Sequence, residues 1–232
     1  MSKLIVANWK CHPSNEETAK SLFRLSDRDN VVVCPPFVYI PLGREILKKA
    51  SLGAQDSFWE EGSYTGEVSA SQIKSVGARF AIIGHSERRA MGESDLDIKK
   101  KVSAAIKEGL TAIVCVGEPS SIKAEGEEAT NDFISLQLSA IGEFFGSEKL
   151  IIAYEPVWAI GSGNPALPAD AASKASFIRS LTGNKTKVLY GGSVSAAGIS
   201  EFAEREEIDG FLIGGGSVNE EELTKMFDLL EM

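Results

Sequence analysis

Eight short apolar runs punctuate this chain, spaced so that a helix fits between each pair. They are KLIVAN (3–8), VVVC (31–34), SLGAQ (51–55), RFAII (79–83), TAIVC (111–115), LIIAY (150–154), TKVLY (186–190) and DGFLI (209–213). Most lack the polar alternation of a half-exposed strand, so both faces are expected to be buried, as in a parallel sheet covered by helices. The intervening stretches carry helical spacing. In 94–109, Leu96, Ile98, Val102, Ala105 and Ile106 form the predicted apolar stripe, with Ser94 or Asp95 to cap its start and Gly109 to end it. Segments 130–145 and 219–230 behave alike, and Asn219 is placed to cap the second ahead of three glutamates that suit a positive helix end.

Eight strand–helix units either close into a barrel or lie open as a doubly wound sheet. An open sheet would carry a glycine-rich nucleotide fingerprint after its first strand, and VANWKCHP (6–13) has none. An eightfold barrel typically needs about 250 residues, and this chain has 232. The expected fold is therefore α/β: a single (β/α)8 barrel domain over 1–232, eight parallel strands with outer helices.

Barrel chemistry collects at the C-terminal ends of the strands. Asn8, Trp9 and Lys10 follow the first run, GHSERR (84–89) the fourth, Glu155 the sixth, YGGS (190–193) the seventh and GGGS (214–217) the eighth. Glycine-rich turns after strands seven and eight suit a phosphate, because backbone N–H groups approach an anion closely there and Ser193 adds a hydroxyl. Each turn read alone also fits a simple tight bend. Glu155 closes an apolar strand and precedes Pro156, so partial desolvation makes it a stronger base than a surface glutamate. His85 stands at an expected helix start, where the dipole disfavours the imidazolium and leaves a neutral hydrogen-bond donor. Taken singly, His85 also suits a structural role and Lys10 an ordinary surface one. Together a base, a neutral donor, a cation and a phosphate grip suit proton abstraction beside a carbonyl, with the oxygen stabilised as charge develops. The stretch after Glu155 (Pro156, Val157, Trp158, Ala159, Ile160, Gly161, Ser162, Gly163) reads as a lid, which would keep water from a reactive enediolate.

A formal net charge of -9 argues against nucleic-acid or anionic-membrane partners. No run approaches the ~20 apolar residues of a membrane span, and the N-terminus carries no secretory pattern. Three cysteines without a CxxC pair fit a reduced, cytoplasmic setting. The two histidines, His12 and His85, are far apart and lack ligand-spaced partners, so no metal is expected. No hydride-cofactor motif is present, and no cofactor is expected.

These residues resemble the triosephosphate isomerase family. ANWK, TGEVSA (65–70), IIGHSERR (82–89), CVGE (115–118), AYEPVWAIGSG (153–163), LYGGSV (189–194) and DGFLIGG (209–215) follow the family's order over essentially the whole chain. The resemblance implies a TIM barrel that interconverts dihydroxyacetone phosphate and D-glyceraldehyde 3-phosphate without a cofactor, in glycolysis and gluconeogenesis. It makes Glu155 the base, His85 the neutral electrophile, Lys10 the electrostatic lysine, Asn8 its polar neighbour and Glu87 a supporting carboxylate. Gly161, Ser193, Gly214 and Gly215 then hold the phosphate, and Cys115 packs near the base. It also implies a homodimer in which Thr65, Gly66 and Glu67 enter the partner near its Lys10 loop, with Arg88 facing Glu67 across the interface. Two departures stand out: Asn164-Pro165-Ala166 at the far hinge of the lid, and His12-Pro13 after the lysine. A barrel lyase or synthase on another sugar phosphate would share the glycine turns but need other acids and bases; YEPVWAIG argues against it. A non-catalytic dimeric binding protein would not need Lys10, His85 and Glu155 together.

Overall fold

A computed structural model describes residues 3–161 and 165–231. Among these residues, β1 (Leu4–Asn8), β2 (Val31–Cys34), β3 (Ser51–Ala54), β4 (Phe80–Ile83), β5 (Thr111–Val116), β6 (Leu150–Tyr154), β7 (Lys187–Tyr190) and β8 (Gly210–Ile213) close into a barrel in sequence order. Every neighbouring pair is parallel. The seam forms where β1 pairs with β8, with Ile5 opposite Phe211 and Ala7 opposite Ile213. This is the (β/α)8 TIM barrel, and each predicted run becomes a strand within about a residue of its expected ends.

Strand alternation explains why the runs are apolar throughout. Val6, Val32, Cys34, Ile82, Ile113, Ile151, Leu189 and Leu212 fill the barrel interior. Their neighbours Ile5, Ala7, Val33, Ala81, Ile83 and Val188 face outward and are buried beneath the helices. Neither face meets water, so neither needs a polar residue.

The helices follow their caps. Ser94 closes a capping box with Asp97 at the start of Asp95–Lys107, and Gly109 sits at φ 78 just past its end. Asn219 accepts from the Glu222 N–H at the start of Glu220–Leu229. Two expectations are corrected. Leu96 is 62% exposed, because it lies two residues from Ile98, some 200° round the helix from the buried stripe of Ile98, Val102 and Ala105. The helix expected over 130–145 runs from Glu127 to Ser139, started by Gly126 at φ 108, and Gly142–Phe144 is a separate 3₁₀ turn. Among the described residues, no helix is long and apolar enough to cross a membrane.

Candidate active site

The C-terminal ends of β1, β4, β6, β7 and β8 open on a cavity of about 210 Å³, lined by Asn8, Lys10, His85, Glu155, Gly161 and Ser193 among others. Larger clefts lie elsewhere on the surface, one of about 590 Å³ beside Trp59. Converging chemistry, not size, singles out the small one. Cavities for drug-sized ligands run to roughly 300–1,000 Å³, so this one suits a metabolite of few atoms.

Glu155 follows β6 and is 2% exposed. Its Oε2 accepts from the Ser86 backbone N–H at 2.9 Å, and its Oε1 lies 3.0 Å from His85 Nε2. Burial pushes the Glu155 carboxyl above its usual range, against the pull of His85, Ser86 and the more distant Lys10. The backbone beside it is packed so closely that a Cβ on Gly117 would fall 1.7 Å from the Glu155 carbonyl oxygen. Only glycine fits at that point of the loop after β5.

His85 is the N-cap of the short helix Ser86–Ala90, and its Nδ1 accepts from the Glu87 N–H at 3.2 Å. An accepting Nδ1 leaves the proton on Nε2, so a neutral ring presents its N–H toward Glu155. The helix-start setting expected from sequence is thus realised, with the imidazole itself serving as cap.

Lys10 adopts φ 52, a left-handed backbone that β1 enters as it leaves the barrel. Asn8 Oδ1 accepts from the Lys10 N–H at 3.1 Å, and Gln55 Nε2 donates to the Lys10 carbonyl at 2.8 Å and to the Cys34 carbonyl at 2.9 Å. Gln55 is a positioning residue that the sequence reading passes over. The Lys10 side chain crosses the turn after β8: a Cβ on Gly214 would stand 3.0 Å from its Cε. Its Nζ lies 2.5 Å from Glu87 Oε1. Glu87, outside the cavity lining, therefore meets the site through both Lys10 and His85, whose Nδ1 is 3.8 Å from its Oε2.

The turn after β7 brings Ser193 to the cavity, and Gly214 and Gly215 join it from the turn after β8. Gly215–Val218 forms one 3₁₀ turn, pinned where Ser217 Oγ donates to the Gly214 carbonyl at 2.7 Å. Cys115 is 1% exposed, and burial, with Glu155 next, pushes its thiol far above the usual range. A neutral, enclosed thiol packs and does not attack.

Of the predicted lid, Val157–Ala159 is a 3₁₀ turn and Gly161 stands exposed at φ 65. Ser162, Gly163 and Asn164 lie outside the described residues. The near end is held by Glu118, which is fully buried and accepts from Trp158 Nε1 at 2.7 Å and Tyr154 OH at 3.2 Å. The far end is held where the Ala166 N–H donates to Tyr190 OH at 3.1 Å. Glu118 is a second residue that the sequence reading leaves without a role.

In the loop after β3, Phe58 is 8% exposed and packs on Trp59 and Tyr64, with ring centroids 4.0 and 4.6 Å apart. The loop aromatics fold onto one another within their own chain. Thr65, Gly66 and Glu67 form the exposed tip beyond them. Arg88 was expected to face Glu67 of a partner. Within its own chain its Nε lies 2.7 Å from Asp56 Oδ2 and 3.3 Å from Glu93 Oε1. Buried Lys101 completes that network, 2.8 Å from Asp56. Among the described residues, no group of three or more His, Cys, Asp and Glu side chains is set to hold a metal ion.

A family model described as "Triosephosphate isomerase" matches residues 3–230. Similar curated proteins carry the same name. One from Aquifex aeolicus is 39% identical over 97% of this chain and 98% of its own. One from Dictyoglomus thermophilum is 40% identical over 93% of this chain and 94% of its own. One from Thermus thermophilus is 39% identical over 93% of each. With a closed barrel, converging lysine, imidazole and carboxylate, and that agreement along nearly its full length, the chain belongs to the triosephosphate isomerase family.

Proposed function

We propose that the protein interconverts dihydroxyacetone phosphate and D-glyceraldehyde 3-phosphate through an enediolate, without a cofactor. The observation that carries this reading is the 3.0 Å approach of His85 Nε2 to the buried Glu155 carboxylate, inside a small cavity shared with Lys10 and the two glycine turns. The substrate phosphate rests on Gly161, Ser193, Gly214 and Gly215, which sets the three-carbon chain across the floor. The carbonyl oxygen takes the His85 N–H that Glu155 Oε1 otherwise holds. That exchange frees a lone pair on a carboxylate already made basic by burial, and Glu155 removes the proton from the carbon beside the carbonyl. As charge develops on oxygen, the His85 N–H and the Lys10 ammonium stabilise it, with Asn8 beside them. The proton on the second enediolate oxygen passes to the first by way of His85 Nε2, and Glu155 returns the carbon-bound proton to the neighbouring carbon, which completes the isomerisation.

The segment Pro156–Gly163 closes over the intermediate, which would otherwise expel its phosphate. Glu87 sets the place of the Lys10 ammonium through their ion pair. The chain 1–232 works as one barrel domain, in the cytoplasm, within glycolysis and gluconeogenesis. It pairs as a homodimer through Thr65, Gly66 and Glu67, while Arg88 stiffens the base of that loop from within.

A coupled assay with glyceraldehyde 3-phosphate tests the reading. Steady turnover at rates typical of enzymes, about 1–10³ s⁻¹ or faster, is expected. Absence of turnover by folded protein overturns it.

A further inference from the structure

The opposite end of the barrel carries a second cleft, and its electrostatics run against those of the molecule. The chain bears 33 acidic and 24 basic residues. Yet a cleft of about 540 Å³ at the N-terminal ends of β3 and β4 is lined by Arg44, Lys48, Lys49, Lys74 and Arg79, with no acidic residue among its lining. All five cations are exposed, while the floor is buried Leu47, Leu52 and Ala78. The adjoining groove, which shares Lys49, is mixed in sign, with Asp27, Asp29 and Glu231.

The local hydrogen bonds hold these cations in place, and the carboxylate that Lys49 feels, Asp27, is outside the cleft lining. Asp27 Oδ1 accepts from the backbone N–H groups of Lys48, Lys49 and Ala50 at 2.9, 2.7 and 3.0 Å. The carboxylate thereby orders the turn that carries two of the lysines. Lys48 Nζ donates to a carbonyl, that of Glu45, at 2.9 Å. Arg44 lies across Gly77, whose positive φ of 105° and missing Cβ let the side chain's Cδ approach. Its Nη1 reaches only the Ser75 carbonyl, at 3.5 Å. None of the five makes a carboxylate salt bridge among the described residues, whereas Lys10 at the catalytic end is paired with Glu87.

Like charges gathered round one hollow repel each other and cost stability unless an anion joins them. We propose that this basal cleft is a binding site for a small, multiply charged phosphate compound, distinct from the catalytic cavity. The volume admits a chain of two or three phosphoryl groups, and five ammonium and guanidinium groups match that charge. Arg44 and Arg79 supply the planar donors that suit phosphate oxygens.

Inorganic tripolyphosphate is the probe, titrated calorimetrically into the whole protein. Expected is saturable binding that weakens steeply as salt is raised, because the cations are exposed and screened. Lys74→Glu with Arg79→Glu should weaken it by at least about tenfold while kcat and KM for the triose phosphate stay unchanged, which also shows that the variant folds. Lys185→Glu with Lys187→Glu, an equal change of net charge at exposed positions elsewhere, should retain binding. Lys10→Ala, which removes the cation of the catalytic cavity, should retain it too. No binding by the unaltered protein overturns the proposal. So does equal loss in the two double variants, or loss in Lys10→Ala with retention in the Lys74–Arg79 variant.

Discussion

At Glu155, burial and hydrogen bonding pull against each other. The carboxylate accepts from Ser86 and faces His85, and both favour its charged form, yet full enclosure outweighs them and raises its pKa. A carboxyl whose folded pKa lies above its unfolded value binds more protons in the native state between the two. Stability is therefore fully present below the unfolded value and falls as pH rises through the folded one. Glu155→Gln has no such titration. Wild type is expected to lose stability relative to Glu155→Gln as pH climbs from below the ordinary glutamate value of 4.5, with the difference levelling once the folded group is ionised. Denaturant midpoints of both proteins across that range check this, and a difference that does not change with pH contradicts it. Lys10 poses a different residue-scale problem: its left-handed backbone is held from both sides, by Asn8 on the N–H and Gln55 on the carbonyl. Gln55→Ala removes the second tie. It is expected to lower kcat/KM by about tenfold or more while the conservative Gln55→Asn recovers part of it. Kinetics at saturating and limiting substrate check both variants.

At the scale of elements, the segment after β6 hangs between two anchors. Trp158 and Tyr154 donate to Glu118 at one end, and Ala166 donates to Tyr190 at the other. Trp158→Phe keeps an aromatic side chain, though a smaller one, and withdraws the shortest hydrogen bond from a fully buried carboxylate. A cost of roughly 1–3 kcal/mol in stability is expected, and it should be accompanied by a changed kcat, because the same bond holds the start of the segment proposed to close over the cavity. Thermal melts and turnover of that variant measure the two effects, and an unchanged melt contradicts the role given to Glu118. The strands were legible in the sequence because burial on both faces writes an unbroken apolar run. Glu118 and Gln55 were not, because their roles depend on partners 40 and 45 residues away that only the closed barrel brings near. The same holds for one partner of Arg88: Arg88 lies within GHSERR with Glu93 close by in sequence, but Asp56 belongs to the loop after β3 and meets it only in the folded chain. The early start of Glu127–Ser139 was hidden because its first turn, Glu127-Glu128-Ala129, reads as a polar loop until Gly126 is seen to open it.

At the scale of the whole molecule, closure of the β1–β8 seam brings Lys10 beside Gly214 and sets both across the cavity from His85 and Glu155. Exposed Thr65, Gly66 and Glu67 extend from a loop whose aromatics are already packed, so the tip reaches outward on a firm base. Replacing Thr65 and Glu67 with alanine is expected to shift the mass seen by light scattering from dimer toward monomer; an unchanged mass defeats the assembly proposed. In the proposed mechanism the barrel holds the Glu155 carboxylate within reach of a bound triose phosphate. Glu155→Asp keeps the charge and withdraws it by about one carbon–carbon bond, and kcat on glyceraldehyde 3-phosphate is predicted to fall roughly 10²-fold or more. Full activity in that variant would mean that another group removes the proton.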